Sequence, residues 1–520
     1  MSGDQTNSLP ELPRTLFLEL TSHCNMHCDF CPSDILRRPH GRLTDKRLRS
    51  FLDQIRASYP RIPMLLNVLG EPLLDKRVYS LLDELEREGR PVTLITNMTL
   101  LEDNQARREL LRHGNLTLAM SLQTATAESF TMRGYERMPF AKFFGLIFVV
   151  IEDKFRLGSS SRLEIHVASN HVLAHDASIQ ADGGLALWPN FRDEKEQQRW
   201  IAGMLRRLER LAAAMEKTYP EAFTAERSAA AFKYREHLGT KIALNRAGLP
   251  RDFQHLKDDV FWGYMALPNV FLVFKSLELW TRAPAFLRAV LPAGRFFYVE
   301  ERTEPRPCMM ADSFGLLANG DYVFCCLDYE GEMALGNIDT TPVAAVMQSA
   351  KRAAVRSNAM TEALCRRCRG NLFIFKTSPL TDEGSQAVDK FGQGWWPWEA
   401  GLDGVGGRWT NGKAWAYVFA RIPARHIRLS FRSPFDPSTP LRLLIYEYDQ
   451  ATAGFAAAAA SLPVSGLKGV RTDSEVSYDF SPGRLYRLEI DSPVFIPDDD
   501  LHNGDTRRLG LAVYAISLTT

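Results

Sequence analysis

Residues 18–31 read LELTSHCNMHCDFC and join an apolar run directly to three closely spaced cysteines. The run over 15–20 is a candidate strand, and Cys24, Cys28 and Cys31 follow it with three and two residues between them. Three thiolates on one loop can bind three irons of a [4Fe–4S] cube, which leaves the fourth iron without a protein ligand. The segment therefore predicts an open iron–sulfur cluster after a first strand.

Zinc is the alternative metal that these thiols would bind. Structural zinc requires four closed ligands, and the fourth would come from His23, His27 or His40. All eight cysteines lie within 24–31 or 308–368. Clustered cysteines in a chain without a secretion signal indicate metal-binding or catalytic thiols rather than disulfides.

The overall composition excludes several classes of protein. The 520 residues carry 63 Lys and Arg against 62 Asp and Glu, a formal net charge of +1. Non-specific nucleic-acid binding needs a strongly basic face. No apolar run approaches the roughly 18 residues that span a bilayer, and 1–13 lacks the apolar region of a signal peptide. We therefore expect a cytoplasmic protein with no membrane span and no nucleic-acid partner.

The first part of the chain alternates short apolar runs with amphipathic stretches. Candidate strands lie at 15–20, 64–69, 92–96, 116–122, 163–168 and 270–274, and candidate helices at 46–58, 76–88 and 104–112. Apolar runs without polar alternation, separated by helical patterns, predict a parallel sheet covered by helices. The stretch 170–268 interrupts this order and has helical spacing in its middle, which predicts a helical insertion, either a cap or a stabilising appendage.

The Cys-x3-Cys-x2-Cys pattern after a first strand, with the aromatic Phe30 before the third cysteine, resembles the radical S-adenosylmethionine (radical SAM) superfamily. The resemblance implies an α/β fold built on a partial (β/α)6 TIM-type barrel. It also implies that the open iron of a [4Fe–4S] cluster chelates the methionine moiety of S-adenosylmethionine. Reductive cleavage of that cofactor then yields a 5′-deoxyadenosyl radical, with the electron supplied by an external donor such as flavodoxin or ferredoxin.

Residues 67–73, NVLGEPL, resemble the Gly-Gly-Glu-Pro motif of this superfamily, with Leu69 in place of the first glycine. The resemblance implies cofactor binding by residues at the ends of successive strands, namely Gly70, Glu71, Asn97, Ser121, Gln123 and Arg133. Each polar residue taken alone is equally well a strand-terminal cap. Their shared position is the stronger indication, because α/β barrels build their sites at the carboxyl ends of the strands.

A second group of cysteines begins at Cys308. Gly320 follows after eleven residues and Cys325 after four more, and Asn319-Gly320 predicts a hairpin turn. The spacing resembles the SPASM domain, which carries auxiliary iron–sulfur clusters. Full SPASM domains have seven cysteines and two clusters; here Cys308, Cys325, Cys365 and Cys368 would bind one auxiliary [4Fe–4S] cluster. A zinc ribbon is the alternative.

Cys326 remains outside that ligand set. Neighbouring residues of a strand point to opposite faces, so Cys325 and Cys326 are not expected to bind one cluster together. Cys326 is then a small buried apolar residue, a substitute ligand, or a catalytic residue that donates hydrogen to a substrate radical.

The C-terminal part predicts an antiparallel β-sandwich. Five of the nine tryptophans lie between 395 and 415, and apolar and polar residues alternate over 426–431 and 441–448. The pattern resembles a β-sandwich appended to some glycosyltransferases and polysaccharide-biosynthesis proteins. The tryptophans would either stack on sugar rings or form the core.

The predicted domains are a barrel over 14–300, a SPASM-like domain over 301–376 and the sandwich over 385–520. The resemblance implies a radical SAM enzyme, of oxidoreductase type, that abstracts hydrogen from a sugar, glycan or related small molecule in an oxidation or epimerisation. A peptide- or protein-modifying maturase is one alternative, and a non-enzymatic zinc and carbohydrate-binding scaffold is another.

Overall fold

The computed structural model describes residues 13–172, 190–191, 194–223, 261–277, 294–301, 312–356, 363–367, 371–380, 384–400, 402–452, 454–455, 457–502 and 504–520. These residues form two compact units. The described part of unit 1 lies within 13–277 and 301–367, and that of unit 2 within 294–300 and 371–520. Cys308 and Cys368 lie outside the described residues.

The strands in chain order are β1 Thr15–Leu18, β2 Met64–Leu65, β3 Val92–Thr96, β4 Leu116–Gln123, β5 Arg162–Val172, β6 Phe261–Leu267, β7 Val270–Leu277, β8 Arg295–Glu300, β9 Ser313–Leu316, β10 Tyr322–Val323, β11 Asn371–Lys376, β12 Ser385–Ala387, β13 Lys390–Phe391, β14 Arg408–Trp409, β15 Lys413–Phe419, β16 Ala424–Arg432, β17 Leu441–Asp449, β18 Gly454–Phe455, β19 Ala460–Val464, β20 Arg471–Phe480, β21 Leu485–Asp491 and β22 Ala512–Thr519. The α-helices are α1 Asp45–Ser58, α2 Arg77–Arg87, α3 Asn104–Leu111, α4 Ala127–Phe130, α5 Phe140–Arg156, α6 Glu194–Thr218, α7 Val343–Met347, α8 Ala350–Arg356, α9 Ala363–Arg367 and α10 Pro497–Leu501.

Unit 1 is organised around one sheet with the strand order β10-β9-β1-β2-β3-β4-β5-β7-β6. The six predicted strands β1, β2, β3, β4, β5 and β7 pair in parallel, which confirms the predicted α/β sheet of a partial barrel. The ladder of β2 ends at Leu65, earlier than the predicted 64–69, because the chain then leaves the sheet for the turn at Gly70.

The helices cover one face of this sheet. Leu48, Phe51, Leu52 and Ile55 form the buried stripe of α1, which begins after Thr44, whose side chain accepts a hydrogen bond from the Arg47 N–H. Helix residues of this kind share one core with alternate residues of each strand. The remaining residues of the strands therefore form an inner face, opposite the helices.

The insertion packs on the same core through α6. Ile201, Met204 and Leu208 are buried within the core that the strands and helices share. Trp200 donates a hydrogen bond to the Ala125 carbonyl, 3.0 Å away, just beyond the end of β4. The described part of the insertion therefore stabilises the barrel wall, and it also contains the antiparallel edge strand β6.

The predicted Asn319-Gly320 hairpin joins β9 to β10. Gly320 has φ +94°, in the left-handed region that favours glycine, and its N–H bonds the Leu317 carbonyl. Strand β9 pairs in parallel with β1, with Leu16 opposite Phe314. The segment with the second group of cysteines therefore extends the sheet beside the first strand.

A buried ion pair joins these parts of unit 1. The Glu19 carboxylate is wholly buried and accepts two bonds from Arg38 at 2.7 and 2.8 Å. It also accepts from the backbone N–H of Leu69 at 3.2 Å and of Ala318 at 2.8 Å. The Arg38 Nε in turn donates to the Tyr329 carbonyl. One carboxylate thus connects the end of β1, the cysteine loop, the turn after β2 and the segment after β9.

Unit 2 contains two antiparallel sheets that share a core. One sheet has the order β12-β22-β16-β20, with β14 paired to β22; the other has the order β13-β15-β21-β17-β18, with β19 paired to β17. Inward residues of both sheets, such as Leu429 of β16 and Leu488 of β21, lie in one buried cluster. This confirms the predicted antiparallel β-sandwich. A separate two-stranded sheet pairs β8 with β11.

None of the helices in the described part of the chain is both long and apolar enough to cross a membrane.

Replacing Glu19 with Ala should destabilise the protein by about 3 kcal/mol or more, because Arg38 is left buried without its partner. Glu102→Ala is the matched control, since its ion pair with Lys142 is about half exposed and such pairs contribute under about 1 kcal/mol. Thermal unfolding of both variants measures the difference. Equal melting temperatures would contradict a connecting role for Glu19.

Candidate functional site

The loop after β1 holds Cys24, Cys28 and Cys31 half-buried and close to one another. The Cys31 N–H bonds the Cys28 carbonyl, and the Asp29 N–H bonds the Met132 carbonyl, each at 2.9 Å. The three thiols therefore occupy a loop whose backbone is fixed both internally and by the segment after α4.

Burial is the largest influence on these thiols. It raises the pKa of Cys31 to about 12 and also raises the pKa of Cys24 and Cys28, although the Arg133 guanidinium lowers the pKa of Cys28 in part. Iron binds thiolates, so metal loading here must release protons. Three soft sulfur donors in one half-buried loop suit an iron–sulfur cluster.

Among the described residues, no three His, Cys, Asp or Glu side chains converge closely enough to hold a single metal ion. A structural zinc ion needs four ligands around one centre, and His23, His27 and His40 all lie in the described part. A cube attaches each thiolate to a different iron, so its ligands stand farther apart. Three thiolates are the ligand set of a cube with one open iron, and the first cysteine group supplies that set.

The turn after β2 lies against the backbone that leads into the cysteine loop. Gly70 has φ +79°, and a Cβ added there would lie 2.3 Å from the Thr21 carbonyl oxygen and 2.8 Å from that of His23. The Glu71 N–H bonds the same His23 carbonyl at 2.9 Å. The close approach requires glycine at 70, whereas Leu69 occupies the preceding position with its side chain buried.

The Glu71 carboxylate is buried below this turn. Its Oε1 accepts from the Thr96 hydroxyl at 2.9 Å and the Leu73 N–H at 3.1 Å, and its Oε2 accepts from the Asn97 N–H at 2.6 Å. Burial raises the pKa of Glu71 to about 7, and these hydrogen bonds counteract the rise in part. A cationic group placed here would stabilise the ionised carboxylate.

Asn97 connects the end of β3 to the cysteine loop. Its Nδ2 donates to the Asn25 Oδ1 at 2.7 Å and lies 3.6 Å from the Cys24 sulfur. Met98, which stands where the resembling motif has glycine, adopts φ +71°. The backbone at 98 thus keeps the left-handed conformation that suits glycine, although its side chain is wholly buried.

Ser121 and Gln123 lie on the inner face near the end of β4, one strand farther from the cysteine loop than Asn97. Gln123 donates to the Ser121 hydroxyl at 3.1 Å and has φ +51°. Asn190, which the sequence analysis missed, fixes this end: its amide nitrogen donates to the Gln123 and Ala168 carbonyls and its oxygen accepts from the Ala125 N–H. Asn190 belongs to no motif with other polar residues, so the sequence contains no pattern that indicates its role.

A second missed pair is Glu164 and His166 on β5. Leu163, Ile165 and Val167 of this strand belong to the core under the helices, so Glu164 and His166 face inward. The His166 Nε2 lies 2.8 Å from the Glu164 carboxylate, and both residues are buried. The description of 163–168 as a run without polar alternation is wrong: Glu164 and His166 alternate with three apolar residues, a pattern that indicates a polar inner face.

Arg133 is buried beside the cysteine loop. Its guanidinium lies 5.7 Å from the ring centres of Phe30 and Phe143, and its Nη2 lies 3.2 Å from the Met26 sulfur. Its Nε is buried without a hydrogen-bond partner, and no carboxylate among the described residues pairs with it. A buried guanidinium without a direct ion pair, next to the thiols, fits a ligand that brings negative charge.

Cys325 and Cys326 face different parts of unit 1. Cys325 is buried in the main core, against which Cys365 also packs, and the Cys365 sulfur lies 3.8 Å from that of Met333. Cys326 instead packs on a smaller cluster of inner-face residues against which Cys31 packs as well. The two thiols therefore lie in different clusters, but the expected reason is wrong: β10 ends at Val323, and Cys325 and Cys326 lie in the turn after it, where the Asp328 N–H bonds the Cys325 carbonyl.

Comparisons with known proteins agree with the two cysteine groups. Residues 18–143 match the family model of the radical SAM superfamily. Residues 308–369 match that of the SPASM iron–sulfur cluster-binding domain, a range that starts at Cys308 and includes Cys325, Cys326, Cys365 and Cys368. The chain contains a radical SAM domain and a SPASM domain. The first domain implies a [4Fe–4S] cluster with S-adenosylmethionine, and the SPASM domain implies auxiliary iron–sulfur binding.

Two curated proteins are similar to part of this chain. The AdoMet-dependent heme synthase of Methanosarcina barkeri (strain Fusaro / DSM 804) is 32% identical over 123 residues, which cover 24% of this chain and 34% of that protein. The tungsten-containing aldehyde ferredoxin oxidoreductase cofactor-modifying protein of Pyrococcus furiosus is 29% identical over 89 residues, or 17% of this chain and 25% of that protein. The matches thus span about a third and a quarter of these relatives.

Among solved structures, the chain is similar to BtrN in complex with AdoMet and 2-DOIA. The identity is 11% and the TM-score 0.33, over 69% of this chain and 94% of BtrN. Streptococcus suis SuiB bound to S-adenosylmethionine has 14% identity and a TM-score of 0.37, over 69% of this chain and 73% of SuiB.

Gly70→Ala should lower S-adenosylmethionine binding at least tenfold, because the added methyl group would force the turn away from the Thr21 and His23 carbonyls. Gly89→Ala is the matched control: Gly89 also has a positive φ, +64°, but open space surrounds its Cβ position. Equilibrium binding of the cofactor to anaerobically reconstituted protein measures the effect. Equal affinity in both variants would show that the turn does not shape the cofactor site.

Proposed function

We propose that this protein is a radical SAM enzyme of oxidoreductase type that uses S-adenosylmethionine to abstract hydrogen from a sugar, glycan or related small molecule. The observation that carries the proposal is that three features meet at one edge of the sheet: the cysteine loop after β1, the Gly70-Glu71 turn after β2 and Asn97 after β3. Parallel α/β barrels place their reactive groups at this edge.

Cys24, Cys28 and Cys31 would hold a [4Fe–4S] cluster and leave one iron open to the cofactor. When bound, the cluster supplies the electron that cleaves S-adenosylmethionine to methionine and the 5′-deoxyadenosyl radical. The side chains around the loop bind and orient the cofactor: Phe30 and Asn97 lie at the loop itself.

Two charged side chains complement the methionine moiety. Burial raises the pKa of Glu71 to about 7, and the ammonium group of the cofactor would stabilise the ionised carboxylate. Backbone carbonyls at the Gly70 turn would add further acceptors. Arg133 would pair with the carboxylate, which brings the negative charge that this buried guanidinium lacks. Ser121 and Gln123, farther along the same edge, would bind the ribose hydroxyls.

The inner face supports a substrate that carries hydroxyl groups. Ser121 on β4 pairs in register with His166 on β5, so the two side chains are neighbours on this face. The His166 Nε2 lies 2.8 Å from the Glu164 carboxylate on the same face. Polar side chains of this kind would favour a substrate with hydroxyl groups, as in a sugar, over an apolar one.

The SPASM segment would hold one auxiliary [4Fe–4S] cluster through Cys308, Cys325, Cys365 and Cys368. Of the described members, Cys325 and Cys365 share the main core, which supports a common site. Cys326 faces the inner side with Cys31, a position that suits a catalytic thiol giving hydrogen to a substrate radical. An external donor such as flavodoxin or ferredoxin would reduce the first cluster.

Replacing Cys24, Cys28 and Cys31 together with Ala should remove about four irons per chain and abolish 5′-deoxyadenosine formation, because the cofactor then has no iron to bind. The assay uses anaerobically reconstituted protein reduced with dithionite, together with iron and sulfide analysis. Cys326→Ala is the control and should keep its iron. If the triple variant still forms 5′-deoxyadenosine, or if wild type binds stoichiometric zinc instead of iron, the proposal is wrong.

Cys325→Ala should lower iron content and thermal stability, because site formation is coupled to folding, whereas Cys326→Ala should keep both.

With a panel of sugars and peptides, wild type should form more 5′-deoxyadenosine in the presence of a sugar than without substrate. Cys326→Ala should retain that stimulation but lose product. Equal iron loss in both variants would show a misassigned ligand set, and stimulation by peptides alone would identify a peptide-modifying enzyme.

A further inference from the structure

Unit 2 exposes two aromatic side chains close to one arginine, defined here as the aromatic–arginine patch: Phe391, Trp398 and Arg408. Phe391 is 37% exposed and Trp398 50%. Trp398 is the largest exposed apolar side chain in the described part of the protein. Two exposed rings that share one arginine form a candidate contact surface, whereas single exposed apolar residues need no explanation.

The Trp398 ring is held in place although half of it is exposed. The segments around it pair through the bridges Trp395–Thr410 and Glu399–Gly407. Gly406 packs directly against the indole, since a Cβ added there would lie 2.6 Å from the ring atom Cζ2. The ring is therefore held in place by the backbone at Gly406, while half of its surface is exposed.

Arg408 supplies the charge of the patch. Its guanidinium carbon lies 5.9 Å from the Trp398 ring centre and 5.1 Å from that of Phe391, within range of a cation–π contact with both. Its Nη1 reaches the Trp396 carbonyl at 3.5 Å, and its Nε is buried without a partner. No carboxylate among the described residues forms an ion pair with it.

A nearby arginine shows the contrast. Arg507 also stacks on an aromatic ring, that of Trp396 at 5.6 Å, yet it pairs with Glu399 at 2.6 Å and with Asp505 at 2.8 Å. Its charge is thereby compensated within the protein. Arg408 in the same part of the sandwich leaves its positive charge uncompensated among two exposed rings.

We propose that the aromatic–arginine patch binds a saccharide that carries a carboxylate, such as a uronic acid. A pyranose ring presents a flat face of C–H groups, which complements the electron-rich face of a fixed indole. The uncompensated guanidinium then selects a sugar with negative charge through a charge-assisted hydrogen bond. A protein partner fits less well, because a stable interface buries about 800 Å² on each side, far more than these side chains present.

This binding concerns unit 2 alone and requires neither iron nor S-adenosylmethionine. The saccharide proposal can therefore be tested separately from the proposed catalytic function. A protein without a cluster keeps the patch, and a protein with an altered patch keeps the cysteine loop.

The test measures binding of the full chain to a panel of uronic-acid oligosaccharides and to neutral oligosaccharides of matched length by isothermal titration calorimetry. Wild type should bind an acidic oligosaccharide and prefer it to the neutral ones at least tenfold. Trp398→Ala should weaken that binding at least tenfold, and Trp398→Phe should restore part of it. Arg408→Gln should remove the preference for acidic sugars.

Leu467→Ala is the matched control, because Leu467 is 60% exposed in the same unit and lies outside the patch. It should bind like wild type, and its melting temperature should equal that of Trp398→Ala. Absence of binding to every acidic oligosaccharide, or equal binding by wild type and Trp398→Ala, would overturn the proposal. Self-association that Trp398→Ala abolishes, without any sugar binding, would also overturn it and assign the patch to a protein interface.

Discussion

The wholly buried carboxylate of Glu19 constrains everything else at the edge of the sheet that carries the site. A charge in this position is tolerated only when it is paired and its remaining lone pairs are bonded. Arg38 supplies the opposite charge, and the Leu69 and Ala318 N–H groups supply the further bonds. Because these donors come from the cysteine loop, the turn after β2 and the SPASM segment, none of the three can move without leaving a buried charge unsatisfied.

One face of the sheet forms the apolar core, and the opposite face carries the polar side chains. Alternate residues of each strand join the apolar core under the helices, which holds the strands in register. The opposite face carries Ser121 and the Glu164–His166 pair, whose polar groups would be costly inside that core. Period-two alternation thus lets one strand contribute to stability and to a polar inner surface at once.

Much of this fold could be predicted from the sequence because its signals are local. The apolar runs of β3 and β4, the amphipathic stripe of α1 and the Asn319-Gly320 turn each follow from a few adjacent residues. The cysteine spacing likewise indicates an iron–sulfur loop without any tertiary information. The strand-face argument for Cys325 and Cys326 does not hold, because β10 ends at Val323; the two thiols lie in different clusters through the turn that follows this strand.

The parts that escaped prediction depend on contacts between distant segments. Glu19 stands in the apolar run LEL and has no local feature that reveals its partners. Asn190 acts through backbone carbonyls at the ends of β4 and β5, which no spacing in the insertion can indicate. The early end of β2 likewise follows from the backbone of the Gly70 turn meeting that of 21–23, a contact between separate loops.

The pairing of β9 with β1 has a consequence for how the chain folds. Thr15 meets Ser313 across this parallel ladder, so one edge of the first strand is covered by residues almost three hundred positions later. Parallel pairing over such a distance raises contact order and slows folding. At a synthesis rate of about 5–20 residues per second, that edge of β1 remains unpaired for roughly 15–60 s before β9 is synthesised. An unpaired strand edge of this kind is a template for association with other chains, so the nascent protein passes through an aggregation-sensitive period that the finished sheet removes.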